Sequence, residues 1–122
     1  MKTINQKTLD DLTRQARENP RLRKNLNLHP SDASRGHRLF NAVEPASYIP
    51  PHRHLDPEKD ETFYIVRGRL GVLTFSPAGE VLESALIEEG GDLLVADIPH
   101  GVYHTAVSLA AGTIFFEAKA GP

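Results

Sequence analysis

Two histidines separated by one residue are the most informative chemical feature of the chain. His52 and His54 follow two consecutive prolines, and Arg53 lies between them. In an extended chain, residues i and i+2 point to the same side, so the two imidazoles converge on one point while Arg53 points away. Neutral ring nitrogens arranged in this way suit a divalent metal ion. Taken alone, the pair is also consistent with two surface histidines in a polar loop.

Further candidate ligands lie in later segments. Glu61 begins an apolar segment that ends before Gly68, and His104 follows the proline–histidine–glycine turn at 99–101. A neighbouring strand can bring Glu61 beside the histidine pair, and another wall of a barrel can bring His104. The residue types therefore allow one site made of three imidazoles and one carboxylate.

Short β-strands must position these residues. The segment 1–35 is polar, and Leu9, Leu12 and Ala16 recur at helical spacing, which predicts one helix over roughly 9–18. From residue 37 onwards, apolar segments alternate with turns at intervals of about 8–12 residues, which is typical of an antiparallel sandwich or barrel. The predicted strands are His37–Glu44, Tyr48–Pro50, Glu61–Arg67, Arg69–Ser76, Glu80–Glu88, Asp92–Ile98, Val102–Leu109 and Thr113–Ala118.

The outer surface of this β-structure is expected to be covered. In one predicted strand, Phe63 and Ile65 occupy one face while Tyr64 and Val66 occupy the other, whereas a strand with one wet face alternates cleanly. We therefore expect residues 1–35 to form a helix and arm that pack on the barrel or on a partner subunit. Residues 36–122 are expected to form the barrel, and the chain is expected to form a homodimer.

Composition excludes several functional classes. The 122 residues carry a net charge of −2, which disfavours nucleic-acid binding, and the absence of cysteine excludes disulfides, thiolate ligands and thiol nucleophiles. The chain has no GxSxG nucleophile elbow, P-loop or GxGxxG motif. It has no N-terminal apolar segment of the kind found in secretory signals and no apolar run of about 20 residues, so we expect a cytoplasmic protein with no membrane partner.

The spacing of these residues resembles the cupin superfamily. Its first motif contains two histidines around one residue, a glutamate and, after six residues, a glycine; the matching residues are His52, His54, Glu61 and Gly68. Its second motif is matched by Gly91, Pro99, Gly101 and His104, with Ser108 where an asparagine is usual. The gap before Glu61 is longer than usual, and Glu58 fits the usual gap. Glu58 lies beside Pro57 in a loop and lacks the downstream glycine, so Glu61 is favoured.

The whole chain resembles more closely the WbuC-type family of small cupin-fold metalloproteins. The likeness is carried by the segments 23–27, 47–54, 61–63, 67–71 and 116–119. It implies an all-β fold, the cupin double-stranded β-helix or jelly-roll barrel, behind a short N-terminal helical extension. It also implies an inward-facing metal, frequent dimers and genes that often lie among those for surface-polysaccharide synthesis. The polar residues 23–29 are either a lid over the barrel mouth or a solvated connector.

The resulting ligand set is His52, His54, Glu61 and His104, which suits Zn, Fe, Mn, Ni or Co better than Ca or Mg. Candidate residues for a substrate pocket are Tyr48, Phe63, Tyr103, Arg38 and Arg67. Core packing is the alternative role for the aromatic residues, and solvation is the alternative for the arginines.

These features predict a metal-dependent enzyme acting on a small polar molecule, sugar-like or anionic, by isomerisation, epimerisation, dioxygenation or hydrolysis. A non-catalytic module that binds a metal or small ligand is the alternative function.

Overall fold

Two antiparallel sheets face each other in the computed structural model, which describes residues 1–122. The elements in chain order are α1 (Gln6–Glu18), β1 (Arg23–Asn27), β2 (Gly36–Val43), β3 (Glu61–Arg67), β4 (Arg69–Phe75), β5 (Val81–Glu88), β6 (Val95–Ile98), β7 (Tyr103–Ser108) and β8 (Ile114–Ala120). The strand order is β1-β2-β8-β3-β6 in the larger sheet and β5-β4-β7 in the smaller one. The predicted all-β jelly-roll architecture with a short N-terminal helix is confirmed.

The topology makes neighbours of strands that are far apart in sequence. On one side of β3, Glu61 pairs with Lys119 of β8, and on the other it pairs with Ile98 of β6. On the opposite sheet, β7 pairs with β4 along its whole length. The inner faces of β2, β3, β7 and β8 therefore surround one interior.

The helix covers the outer face of the larger sheet. Asn5 caps it, because the Asn5 side chain accepts a hydrogen bond of 2.9 Å from the Thr8 backbone N–H. The helix therefore begins at Gln6, three residues before the predicted start. Its buried residues Leu9, Leu12 and Ala16 pack with Ala42 and Ile114 in a small cluster of their own. No helix in the structure has the length and apolar character needed to cross a bilayer.

The main core lies between the sheets. It consists of Val43, Phe63, Ile65, Leu70, Val72, Ile87, Ile98, Ala106 and Phe115. Each fully buried valine, leucine, isoleucine or phenylalanine side chain contributes roughly 1.5–3 kcal/mol through removal of apolar surface from water. The core fixes the strands whose inward positions carry the candidate ligands.

Two segments differ from the sequence expectation. Residues 48–50 form no strand, because they lead into two prolines that cannot donate ladder hydrogen bonds. Conversely, Arg23–Asn27 is a strand at the edge of the larger sheet, so that sheet includes part of the 1–35 segment. Its polar composition hides the apolar alternation by which a strand is usually recognised.

Candidate metal centre

The four candidate ligands meet inside the barrel. The donor atoms of His52, His54, Glu61 and His104 all lie within 4.8 Å of one another. The loop that carries His52 is held by two backbone hydrogen bonds to His104, of 3.0 and 2.9 Å. Three separate stretches of backbone thus converge on one point, as the histidine spacing predicted.

Strand parity sets the direction of the two deepest candidate ligands. Glu61 is the first residue of β3 and shares its inward face with Phe63 and Ile65. His104 is the second residue of β7 and shares its inward face with Ala106. Both side chains are nearly inaccessible to solvent, with exposures of 3% for Glu61 and 2% for His104.

The hydrogen bonds of the histidines fit a bound cation. Nδ1 of His52 lies 2.9 Å from the Pro50 carbonyl, and Nδ1 of His104 lies 2.9 Å from the Val102 carbonyl. Since a carbonyl only accepts, each Nδ1 carries a proton, and Nε2 is the ring nitrogen left to face the centre. Metal-bound histidines are commonly oriented by this kind of backbone contact.

The carboxylate of Glu61 bridges two of the imidazoles. Its Oε2 lies 2.6 Å from Nε2 of His104, and its Oε1 lies 3.0 Å from Nε2 of His54. Two lone pairs cannot approach so closely without a positive charge between them, so the Glu61–His104 contact requires either a proton or a metal ion. The donor set therefore fits a divalent transition metal.

Burial and the neighbouring polar groups shift the pKa values of Glu61, His104 and His54 in opposite directions. Burial alone would raise the pKa of Glu61, but the hydrogen bond from His104 and the charges of His104, His54 and Lys119 lower it to about 2. Burial would lower the pKa of His104, but its bonds to Glu61 and the Val102 carbonyl raise it. Burial prevails at His54 and lowers its pKa despite Glu61. Glu61 therefore stays ionised and available as a ligand.

A cavity of about 210 Å³ adjoins these residues, and we call it the central cavity. Its floor is apolar and is formed by Val43, Ile49, Phe63, Ala106 and Phe115. Its polar wall is formed by Arg23, Asn25, Asn41, Glu117 and Lys119, and Lys119 lies 3.7 Å from Glu61. A bound metal would consequently adjoin a cavity that contains both apolar side chains and hydrogen-bonding groups.

Glu117 is an unusual member of that wall. Its side chain is only 14% exposed, and its nearest partners are Asn41 at 3.5 Å and Lys119 at 4.0 Å. Burial and the negative charge of Glu61 raise the pKa of Glu117 to about 7, against the opposing effects of Lys119 and Asn41. Near neutral pH this carboxyl can therefore hold or release a proton inside the cavity.

Of the five predicted pocket residues, only Phe63 lines the central cavity. Tyr48 is 73% exposed in the loop after β2. Tyr103 lies on the outward face of β7, where the Arg53 guanidinium stacks 4.4 Å above its ring. Both tyrosines were predicted from their closeness in sequence to the ligands, but their backbone positions direct them away from the interior.

The two predicted arginines also lie elsewhere. Arg38 occupies the outward face of β2, on the side of Phe40 and Ala42, and is exposed. A register shift between Ile65 and Arg67 turns Arg67 outward, where it binds Asp10 of the helix at 2.7 Å. Neither guanidinium contributes to the cavity.

The other glutamate and histidine side chains considered from the sequence lie outside the centre. Glu58 lies in an exposed turn, where its backbone N–H binds Asp56, and it does not reach the centre. His100 is half-exposed, and its ring binds Asp60 at 2.9 Å. His29 and His37 lie away from the centre and stack on each other, with ring centroids 4.2 Å apart.

The polar wall was not predicted as a site. Asn41, Glu117 and Lys119 alternate with apolar residues in β2 and β8, a pattern usually produced by a wet outer face. Here the polar positions face inward and the apolar positions face the helix. Arg23 and Asn25 were noted only as part of a polar cluster, and they line the cavity mouth from an edge strand.

Comparison with known proteins identifies the fold. A family model described as "Domain of unknown function (DUF6016)" matches residues 4–87. No curated protein matches the sequence. Among solved structures, TT1209 from Thermus thermophilus is similar with a TM-score of 0.67 and 21% identity, covering 99% of this chain and 98% of that one.

Two further structures carry informative names. The cupin domain of Schizosaccharomyces pombe Cnp3 is similar with a TM-score of 0.61 and 14% identity, covering 82% of this chain and 65% of that chain. Oxalate decarboxylase from Bacillus subtilis, studied for its Mn(II) centres, is similar with a TM-score of 0.59 and 16% identity. That match covers 81% of this chain but only 25% of the decarboxylase chain. The fold of residues 1–122 is therefore the cupin fold.

Proposed function

The chain belongs to the family described as "Domain of unknown function (DUF6016)", and we propose that it is a small cupin metalloprotein with a resident divalent transition metal. The proposed ligands are the three imidazoles and the carboxylate of His52, His54, Glu61 and His104. The observation that carries this proposal is the convergence of their donor atoms within 4.8 Å beside a cavity. Zn, Fe, Mn, Ni and Co all suit such a set. The Mn(II) centres named for the oxalate decarboxylase structure are consistent with this range.

The proposed activity is a metal-dependent reaction on a small polar molecule. A metal held by four protein ligands can keep an open coordination position and act there as a Lewis acid. The chain's own residues would do the rest: Asn41 and Lys119 bind and orient polar groups, and Glu117 holds or moves a proton across the cavity. The apolar floor limits the water that can enter.

The resemblance to WbuC-type proteins supports a sugar-like substrate within surface-polysaccharide metabolism. The wall supports the same substrate class, since amide, carboxyl and ammonium groups together offer both donors and acceptors to hydroxyl groups. An anionic substrate would find Lys119 and Arg23 on the same wall.

Two measurements test the proposal. Elemental analysis of purified protein should find a transition metal, and its content should fall to background when His52 or His104 is replaced by alanine. Turnover on a panel of sugars and sugar acids should then require both the metal and Glu117, with Glu58→Gln as a control outside the cavity. Protein that binds no transition metal under any loading condition would refute the metal centre.

We also propose that the chain forms a homodimer through the outer face of the smaller sheet. Leu86, Val107 and Leu109 are between 38% and 49% exposed there and lie around Gly71. Light scattering should give twice the chain mass, and Leu86→Lys should reduce it to a monomer. Should the chain also prove catalytically inert with its metal bound, the same face would support the alternative of a non-catalytic module that reports a bound ligand to a partner.

A further inference from the structure

A second polar cavity adjoins the central cavity along the inner face of the larger sheet. It has a volume of about 230 Å³, and we call it the histidine cavity. The residues that line only this cavity are Asn27, His29, Asp32, His37 and Leu39. The residues that line both cavities are Asn25, Asn41, Glu117 and Lys119. Because four wall residues are shared, the two cavities lie side by side, and we call the pair of them the channel.

The channel is longer than one small molecule needs. It runs across the strands from Glu61 on β3, over β8 and β2, to Asn27 on β1. Three steps between neighbouring strands, each of about 4.8 Å, give a length of about 14 Å. Each cavity is smaller than the roughly 300 Å³ at the lower end of ligand pockets, whereas the two together reach that range.

The histidine cavity has unused hydrogen-bonding groups. His29 and His37 stack in parallel, with their planes 1° apart. Nδ1 of His29 contacts the Arg38 backbone at 3.1–3.2 Å, and Nε2 of His37 lies 3.0 Å from the Asp32 carbonyl. Each ring therefore keeps its other nitrogen for a ligand. The Asn25 and Asn27 amides add groups that both donate and accept.

The charges of this cavity favour a neutral ligand group. Its carboxylates are Asp32 and Glu117, and its only ammonium or guanidinium group is Lys119. Lys119 already faces Glu61 at 3.7 Å and Glu117 at 4.0 Å. A phosphate or sulfate at this end would meet two acidic groups without an unengaged cation, whereas hydroxyl groups match the amides and imidazoles.

We propose that the channel binds one elongated, polyhydroxylated ligand of two linked sugar rings. One ring lies in the central cavity, where its oxygens reach the metal, and the neutral second ring lies in the histidine cavity. This inference rests on the proposed metal centre for the first ring only. The second ring depends on residues that take no part in metal binding.

Calorimetric titration of the Zn²⁺-loaded protein tests this assignment. The probes are glucose and galactose, the disaccharides maltose, cellobiose and lactose, and UDP-glucose as a phosphate-bearing competitor. We expect at least one disaccharide to bind ten times more tightly than its component monosaccharide, and more tightly than UDP-glucose. A gain below this for every disaccharide, or a preference for UDP-glucose, would overturn the proposal.

Asn27→Leu locates the second ring. Asn27 is exposed on an edge strand and lines only the histidine cavity, so its replacement should remove the disaccharide gain to within twofold. Monosaccharide and Zn²⁺ affinities should not change. Lys24→Leu, an exposed replacement on the same strand, is the matched control and should leave all affinities unchanged. If N27L does not fold, Asp32→Leu on the exposed rim of the same cavity carries the same expectation.

The two proposals fail in different ways. Failure of the protein to bind any transition metal during loading refutes the metal centre. Normal Zn²⁺ binding with a disaccharide gain that survives N27L refutes the channel and leaves the metal centre standing.

Discussion

Nε2 of His104 lies 2.6 Å from Oε2 of Glu61, and both side chains are withdrawn from solvent. The Val102 carbonyl holds the other ring nitrogen of His104 at 2.9 Å. Acceptors therefore face the ring from both sides, and the ring needs a positive charge to satisfy them. That charge is a second proton in metal-stripped protein and, under our proposal, a metal ion in the loaded protein.

Replacing His104 with alanine should abolish tight metal binding. We expect the dissociation constant for the metal to rise by more than about 100-fold. Loss of a residue that only orients a metal ligand costs up to about 100-fold in metal affinity, and here a direct ligand is lost. Metal titration followed by thermal unfolding measures this: saturating metal should raise the Tm of the wild-type protein and leave that of H104A unchanged. His100→Ala is the matched control, since His100 lies outside the centre. Equal stabilisation of H104A and the wild type would rule out His104 as a ligand.

The metal-stripped protein should show a pH window of stability set by the same pair. The raised pKa of His104 gives stabilisation that is present below about 6.5 and is lost as pH rises through the folded value. The pKa of Glu61, lowered to about 2, gives stabilisation that is present above about 4.5 and is lost as pH falls towards 2. Denaturant unfolding across pH should therefore show the pair's contribution between about 4.5 and 6.5.

Removal of the carboxylate gives the control for that window. Glu61→Gln should remove both the loss of stability at low pH and the loss at high pH. Glu58→Gln should leave the profile unchanged because Glu58 is in an exposed turn. Metal loading should extend the stable range to higher pH, since the metal replaces the proton on His104. A profile of E61Q that matches the wild type would show that the pair does not couple to folding.

Glu117→Gln should stabilise the protein above pH 7 and not at pH 5. The pKa of Glu117 is raised to about 7, so folding favours its protonated form and stability falls as pH rises from about 4.5 through 7. A glutamine of the same shape removes that cost, which is on the order of 3 kcal/mol. Chemical unfolding at pH 5 and pH 8 measures the difference. Glu83→Gln on an exposed strand position should change stability at neither pH.

The sequence predicted the cluster of candidate ligands better than the cavity around it. The identity of His52, His54, Glu61 and His104 follows from spacing along local strands and turns, which the folded chain preserves. The position of Arg67 depends on one irregular residue in β3, and no residue type there signals the shift. Where register changes by a single residue, an inward side chain becomes an outward one.

The polar wall was missed for a different reason. Asn41 and Glu117 alternate with apolar neighbours, and alternation alone does not tell which face is the interior. The helix resolves the ambiguity by covering the apolar face of the larger sheet, which leaves the polar face to line the interior. That arrangement depends on tertiary packing between segments far apart in sequence.

Gly68→Ala should destabilise the protein far more than Gly79→Ala. Both glycines have positive φ, at +78° and +91°, so each replacement carries about 1–2 kcal/mol of backbone strain. At Gly68 the new Cβ would also lie 2.5 Å from Oγ1 and 2.9 Å from the backbone Cα of Thr113, whereas nothing lies within 4 Å at Gly79. We expect the excess at Gly68 to be about 1–3 kcal/mol, as for overpacked sites, measured by urea unfolding. Equal losses of stability at the two positions would mean that backbone strain alone accounts for the need for glycine at position 68. The close approach to Thr113 would then not constrain the β3–β4 hairpin.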